Sequence, residues 1–193
     1  MFEGSKTKAW QVAVTAKSLS EAMNNVFLNH EVSSSLPKWL GWLAPFENCV
    51  ILNTDQSVME DKAGFEGVLR SSNGVWIHGF CGNVDDFEII GVELLDILQG
   101  LRIAQRLGLT RVYCQTNSFV SVKWIQGGVS HMHHYSNLVQ EIRKLLDKDR
   151  EVSISHVLRE CNKCANYFAK LGLGCPDRLT NFMEPPLDVI PLV

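Results

Sequence analysis

The sequence lacks both a membrane-spanning segment and a recognisable secretion signal. No apolar stretch approaches the ~20 residues that a transmembrane helix needs. The first residues, MFEGSKTKAWQVAV, contain no apolar run long enough for the core of a signal peptide. We therefore expect a soluble, intracellular protein without a membrane partner, and the sequence does not favour the nucleus over the cytoplasm.

An excess of basic charge is also missing. The 193 residues include 18 Lys and Arg against 21 Asp and Glu, which gives a formal net charge of -3. A protein that coats nucleic acid or membranes through bulk positive charge is excluded, so any nucleic-acid site must be local. Hydrophobic residues make up 46% of the chain, which is enough for a folded core and excludes wholesale disorder.

The six cysteines lack the compact, regular spacing of a disulfide framework. They are scattered among apolar neighbours, so we expect reduced thiols. Cys161 and Cys164 form one CxxC sequence, but no second pair of ligands lies at zinc spacing. A buried pair on a helix therefore explains these two cysteines better than a metal site does.

Composition divides the chain into three parts. The spacing of apolar residues predicts an amphipathic helix over 8–29, and a linker with three serines and Pro37 follows it. We assign 1–47 to this N-terminal helix and linker, and 48–173 to one globular domain. The remaining part, 174–193, is rich in proline and has too little periodicity for a packed element, so we predict an irregular tail.

Within the domain, alternating apolar and polar residues predict three consecutive strands in CVILNTD, GFEGVLRS and VWIHGFCG. Asp85 and Asp86 then occupy a helix N-cap position, and helical apolar spacing continues to Gly108. The full order of elements is βββαβααβα. It predicts an α/β fold with a five-stranded mixed sheet, in which a three-strand antiparallel meander is followed by parallel strands and helices cover both faces.

Two acidic residues are expected in positions that are otherwise apolar. If Ile51 points inward, the two-residue period of a strand puts Asn53 and Asp55 on the same face. Glu93 lies within the apolar stripe of the long helix, where a carboxylate is rarely buried unless it is paired or bound to a cation. Each acid has an ordinary explanation on its own, as a turn residue or as a residue that reaches water. Together the two acids favour a functional site.

Two asparagines complete the pattern. Asn117 follows the strand TRVYCQT at a strand-to-helix junction, and Asn166 lies four residues after Asn162 on the last predicted helix. In open α/β sheets, ligands gather at strand ends and helix starts. We therefore include Asn117 and Asn166 among the candidate site residues.

Five segments carry a family resemblance. They are NTDQS, AGFEGVLRSSNGVWIHGF, VELLDILQGLRIA, CQTNSFVSV and ISHVLRECNKCANYFA. In order and spacing they resemble the ribonuclease H fold, and specifically the reverse-transcriptase-associated ribonuclease H-like domains that are abundant in plant genomes. The resemblance runs from about Trp42 to Leu173. It implies a ribonuclease H-like fold and, as the family activity, hydrolysis of the RNA strand of an RNA–DNA hybrid with two Mg²⁺ ions.

The family's active site has four carboxylates, and the resemblance places these positions on Asp55, Glu93, Asn117 and Asn166. Two acids remain and two are amides, so the formal charge of the site falls from -4 to -2. The glycine that follows the first acid in the family is Gln56 here. Because Mg²⁺ prefers charged oxygen ligands, we expect at least one metal ion, Mg²⁺ or Mn²⁺, to bind poorly. The resemblance thus implies a Mg²⁺-dependent endonuclease whose hydrolysis is weak or lost.

Binding of nucleic acid does not require the metal ions, because neutral side chains can contact the backbone and the 2′-hydroxyls. Candidates for such contacts are Asn53, Gln56 and Ser57 beside the retained acid, and Arg159 and Lys163 on one face of the last helix. For the two basic residues, a solvated helix face is an equally good explanation. The expected partner is an RNA–DNA hybrid or double-stranded RNA.

Two alternatives stay open. One is an active ribonuclease H that tolerates the amides, with a single metal ion or with Mn²⁺. The other is a domesticated scaffold that binds a protein partner and neither binds nor cleaves the hybrid. Salt-sensitive binding of a hybrid separates the nucleic-acid-binding domain from the scaffold, and metal-dependent cleavage separates the active enzyme from both.

Overall fold

The computed structural model describes residues 48–59, 62–85, 88–147, 150–158 and 177–186. Three strands come first, and a helix, a strand, two helices and two more strands follow. The strands are β1 (Val50–Met59), β2 (Lys62–Ser71), β3 (Trp76–Asp85), β4 (Arg111–Thr116), β5 (Glu151–His156) and β6 (Thr180–Phe182). The helices are α1 (Ile89–Arg106), α2 (Phe119–Gly127) and α3 (Ser136–Leu146).

The strands form one mixed sheet in the order β5-β4-β1-β2-β3-β6. β2 runs antiparallel to both β1 and β3, and β4 runs parallel to both β1 and β5. Apolar side chains on these strands, such as Ile51, Leu69 and Phe80, have no exposed surface. The predicted α/β fold, with an antiparallel meander followed by parallel strands, is confirmed.

The predicted number of five strands is wrong, because the described part of the chain contains six. The additional strand, β6, lies in the segment that we predicted to be irregular. Its three residues pair antiparallel with β3, and Phe182 and Thr180 lie opposite Gly79 and Cys81. Three residues are too few to show an alternating pattern, so the sequence gives no signal for this strand.

Helix α1 matches the predicted long helix, and Gly108 follows it with a φ of 70°. Its start differs from the prediction, since Glu88 is the N-cap and makes no side-chain capping bond. Asp85 instead ends β3, where it pairs with Lys62, and Asp86 lies outside the described residues. Strand pairing therefore takes precedence over the local capping signal here.

Helix α1 lies very close to the central strand of the sheet. A Cβ atom added at Gly100 would lie 2.7 Å from Cδ1 of Leu52, so only glycine permits this approach without a shift of the leucine. Helices α1, α2 and α3 contact one another, and each also packs against strands of the sheet. This packing holds the first turns of α1 beside the polar residues of β1.

Several predicted features lie outside the described residues. They are the N-terminal helix at 8–29, the last helix at 160–172 and the domain boundary at 173. Within the described residues, no helix combines the length and the apolar character that crossing a membrane requires.

The cysteines differ in part from the prediction of reduced thiols. Cys49 and Cys114 are buried and form no disulfide bond, as expected. Cys81 on β3 is disulfide-bonded, so the expectation is wrong for this residue. The irregular spacing of the cysteines in the sequence contains no signal that would single out Cys81.

Candidate active site

Asp55 lies on the central strand, at the point where one neighbouring strand ends. The parallel ladder between β1 and β4 finishes at Thr54 and Thr116, whereas the antiparallel ladder with β2 continues past Asp55. The side chain of Asp55 is 1% exposed. Its Oδ1 accepts a hydrogen bond from the backbone N–H of Gln56 at 2.9 Å. Strand pairing thus fixes this carboxylate just beyond the last pair of the β1–β4 ladder, at the carboxyl ends of the parallel strands, where ligands gather in α/β folds. We call this end of the sheet the parallel-strand edge.

Asn117 is the first residue after β4, and its amide faces Asp55. Nδ2 of Asn117 donates to Oδ1 of Asp55 at 3.0 Å. Oδ1 of Asn117 is buried and accepts no hydrogen bond within the described part of the chain. Helix α2 begins two residues later, because Oγ of Ser118 caps it by accepting a bond from the backbone N–H of Ser121 at 3.3 Å. The strand end and the helix start together hold the asparagine against the acid.

Glu93 reaches the same place from the fifth residue of α1. Its Oε2 accepts a hydrogen bond from Oγ1 of Thr116 at 3.3 Å. Its Oε1 accepts a longer bond, of 3.4 Å, from Nε2 of Gln56. Because Gln56 also follows Asp55 directly on β1, the structure brings both retained acids and Asn117 together at one edge of the sheet.

Two further acids lie near this edge. Glu66 is opposite Asp55 in the β1–β2 ladder, and Asp96 lies three residues after Glu93 on α1. Burial raises the pKa of Asp96 well above its usual range, and the charges of Glu66, Glu93 and Asp55 raise it further, whereas a backbone hydrogen bond from Asp55 opposes the shift. The site therefore contains four carboxyl groups within electrostatic reach of one another, although Asn117 supplies no charge.

The structure corrects the interpretation of Asn53 as a nucleic-acid contact. Its side chain has no exposed surface. Oδ1 of Asn53 accepts hydrogen bonds from Nε and Nη2 of Arg70 at 3.0 and 2.8 Å, and Nδ2 donates to Oε1 of Gln115 at 2.9 Å. A side chain that is buried and bonded in this way cannot reach nucleic acid, so Asn53 belongs to the interior of the sheet.

The other predicted contact residues and the fourth site position, Asn166, divide into two groups. Gln56 and Ser57 are half-buried on β1, and each keeps some exposed surface beside Asp55. Arg159, Lys163 and Asn166 lie outside the described residues. The structure therefore places only the first group relative to the site, and the roles of the second group stay predictions.

The sequence from 53 to 172 matches the model of a protein family described as reverse transcriptase-like. This range includes more than half of the chain. The chain belongs to the reverse transcriptase-like family. Members of this family are ribonuclease H-like domains, so the resemblance of the five segments is confirmed.

A relative of this ribonuclease H-like domain is known in Arabidopsis thaliana. The plant protein, named "Putative ribonuclease H protein", is 34% identical over 159 residues. The match includes 76% of this chain but 26% of the relative, so the chain spans about a quarter of that protein's length.

Solved structures resemble the ribonuclease H-like domain at low sequence identity. RNase H1 from the halophilic archaeon Halobacterium salinarum has a TM-score of 0.60 at 20% identity, with 66% of this chain and 98% of that chain covered. LC11-RNase H1 in complex with an RNA/DNA hybrid has a TM-score of 0.58 at 19% identity, with 65% and 96% covered. These similarities show that the fold is that of ribonuclease H.

Ribonuclease H-like domains imply divalent cations, but the described residues do not fit a pair of such ions as they stand. Within the described residues, no three His, Cys, Asp or Glu side chains form a group that could hold a metal ion. Each retained acid accepts a hydrogen bond from an amide NH₂ group, Asp55 from Asn117 and Glu93 from Gln56. An amide nitrogen is a donor and does not ligate a cation. The site is therefore organised by hydrogen bonds.

Sequence reasoning missed three residues of this ribonuclease H-like site. Asp96 carries a signal, because an acid one turn after Glu93 and next to Ile97 lies close to the apolar stripe. Thr116 and Arg70 have no such signal in the sequence, since both residue types are ordinary in strands. Their bonds depend on the register between neighbouring strands, which the sequence does not specify by itself.

Proposed function

We propose that this domain binds an RNA–DNA hybrid or double-stranded RNA, and that its hydrolysis of the RNA strand is weak or lost. The observation that carries the proposal is the convergence of Asp55, Glu93 and Asn117 at the parallel-strand edge of a ribonuclease H fold. Family membership and the hybrid bound by LC11-RNase H1 support the nucleic-acid partner. The neutral amide at Asn117 supports the loss of hydrolysis.

The electrostatic cost of the amide is large for a metal-dependent reaction. Mg²⁺ or Mn²⁺ would need the oxygens of Asp55 and Glu93, which carry two charges where the family has four. At an effective dielectric constant of ~20, each charge removed a few Å from a divalent ion costs on the order of several kcal/mol before relaxation. Such a loss lowers metal occupancy or reaction rate by orders of magnitude.

One observation favours the active enzyme as a second candidate. Oδ1 of Asn117 is buried, lies on the side chain that contacts Asp55, and accepts no hydrogen bond from the described residues. A carbonyl oxygen in this place is a neutral ligand for a hard cation. A single Mg²⁺ or Mn²⁺ ion held by this oxygen and the two acids would give an atypical ribonuclease H.

Cleavage of a labelled RNA–DNA hybrid in Mg²⁺ and in Mn²⁺ tests the catalytic part of the proposal. We expect no cleavage by the protein as it stands, and cleavage by the double substitution Asn117→Asp, Asn166→Asp. The matched control is Asn73→Asp, Asn137→Asp, which adds the same charge at two exposed positions. Cleavage by the unsubstituted protein at rates typical of a four-carboxylate enzyme would favour the second candidate.

Retention of the same hybrid on a filter at increasing salt tests the binding part. We expect retention that weakens with salt, because phosphate contacts release counterions. Double-stranded RNA, double-stranded DNA and single strands serve as competitors in the same assay. If no nucleic acid is retained at low salt, the scaffold interpretation replaces the proposal.

A further inference from the structure

Two residues at the site depart from the family pattern and have the same chemistry. Gln56 stands in place of a glycine and Asn117 in place of an acid, and each brings an amide NH₂ group to the site. Nδ2 of Asn117 donates to Asp55 at 3.0 Å, and Nε2 of Gln56 donates to Glu93 at 3.4 Å. Each of the two retained acids thus accepts a hydrogen bond from one of the two amide groups.

We infer that Gln56 and Asn117 take over the role of a divalent cation as partners of the two acids, so that Asp55 and Glu93 do not require a metal ion. A buried carboxylate is costly unless hydrogen-bond donors or a positive charge compensate it. Asp55 and Glu93 are 1% and 6% exposed, so water supplies little compensation. The amide donors satisfy this requirement with no charge and no bound ion.

Asn117 supplies a hydrogen-bond donor where the family has a charged ligand. Its nitrogen faces Oδ1 of Asp55, and its own Oδ1 accepts no hydrogen bond from the described residues. The opposite orientation would place two acceptor oxygens against each other, which is unfavourable unless a cation lies between them. With its nitrogen toward Asp55, the amide itself is a hydrogen-bond partner of the acid.

Thermal unfolding of the unsubstituted protein tests the inference directly. We expect the same Tm in EDTA, in Mg²⁺ and in Mn²⁺ at matched ionic strength, because a ligand that does not bind the folded state cannot stabilise it. The side-chain NH₂ signals of Gln56 and Asn117 in NMR spectra should also be unchanged by Mg²⁺. A Tm that rises with Mg²⁺ concentration, or a Tm that falls in EDTA, would overturn the inference without any substitution.

Substitution of the amides should create the metal dependence that the unsubstituted protein lacks. Asn117→Asp places a second carboxylate against Asp55, so we expect a lower Tm in EDTA and recovery of the Tm in Mg²⁺. Calorimetric titration should show Mg²⁺ binding at least ~10-fold tighter than in the unsubstituted protein, since each added charge close to a cation has a large effect. Adding Gln56→Gly removes the amide that donates to Glu93, and it should tighten Mg²⁺ binding further.

Two controls make these results specific. Asn137→Asp adds the same charge at an exposed position of α3 and should respond equally to EDTA and Mg²⁺. Asn117→Ala removes the donor without adding charge, so it should lower the Tm in both buffers and gain no Mg²⁺ binding. If Asn117→Ala gained Mg²⁺ binding as strongly as Asn117→Asp, the amide would not be the group that replaces the cation.

The inference deepens the proposed function and rests on it only for nucleic-acid binding. Filter retention of the hybrid in EDTA and in Mg²⁺ at matched ionic strength tests the inference separately from the proposed function. Equal retention in both buffers supports the inference, and retention only in Mg²⁺ overturns it while the proposed binding stands. If no hybrid is retained in either buffer, the proposed function fails, and the Tm and calorimetry still decide whether the site is metal-free.

Discussion

Asp96 lies in an environment that disfavours its charged form. Its side chain is 1% exposed, and neither carboxylate oxygen accepts a hydrogen bond from a described side chain. Burial is the largest cause of its raised pKa, and the acids Glu66, Glu93 and Asp55 add to the shift. An acid in such a place favours its neutral form, and the folded protein binds the proton more tightly than the unfolded chain does.

This linkage predicts how Asp96 affects stability. Because the folded pKa is raised, the stabilising contribution of the bound proton is full below the unfolded pKa of ~3.9 and is lost as the pH rises through the folded pKa. Asp96→Asn keeps the shape of the side chain but cannot ionise, so this loss of stability with rising pH is absent from the variant. We expect the Tm advantage of the variant to grow between pH 5 and pH 8, by ~2–4 °C for each kcal/mol recovered.

Thermal unfolding at several pH values checks the prediction. Asp177→Asn, at an exposed acid, is the control and should give a small difference that does not vary in the same way with pH. A difference between Asp96→Asn and the unsubstituted protein that stays constant from pH 5 to pH 8 would contradict the expected linkage.

At the scale of elements, three strands are joined by a buried polar chain. Arg70 on β2 donates two hydrogen bonds to Asn53 on β1, and Asn53 donates one to Gln115 on β4. The chain crosses from the antiparallel to the parallel side of the sheet. It therefore ties Gln115, two residues before Asn117, to the central strand that carries Asp55.

Removal of the middle member of this chain should destabilise the fold. Asn53→Ala takes away the acceptor of two bonds from a buried guanidinium and the donor to Gln115. We expect a loss of about 2–4 kcal/mol in the free energy of unfolding, because three hydrogen bonds between buried polar groups are removed. Urea unfolding measures the loss, and Asn137→Ala on the exposed face of α3 should stay within about 0.5 kcal/mol. Equal values for the two variants would show that the chain contributes nothing.

Much of this arrangement could be predicted from the sequence, and the rest could not for physical reasons. The ten-residue strands and the apolar spacing of α1 extend over several periods, so their patterns are clear. The predicted start of α1 is wrong because Asp85 belongs to β3, where it pairs with Lys62 of β2. The amide bonds of Gln56 and Asn117 depend on side-chain rotamers and strand register, which no local pattern specifies.

For the molecule as a whole, the sheet extends beyond the domain that the sequence indicates. The predicted domain ends at residue 173, but β6 at Thr180–Phe182 pairs with β3. The segment before β6 also lies close to the sheet, since a Cβ atom at Gly82 would overlap the carbonyl oxygen of Arg178. The end of the fold is therefore at least residue 182.

Truncation of the chain tests this boundary. A chain that ends at 173 loses the β3–β6 ladder and the contacts around Gly82, so we expect a clearly lower Tm than for the full chain. A chain that ends at 186 keeps β6 and should unfold close to the temperature of the full chain. Equal Tm values for the two truncated chains would show that β6 does not contribute to stability.

Strand β6 also determines which backbone groups are available to other molecules at that side of the sheet. A ten-residue outer strand would offer a long row of unpaired N–H and C=O groups, on which a strand of another molecule could add. The three residues of β6 cover part of β3 and are themselves a much shorter template. Short outer strands of this kind protect natural sheets against aggregation, and β6, with three residues, itself offers little backbone on which another strand could add.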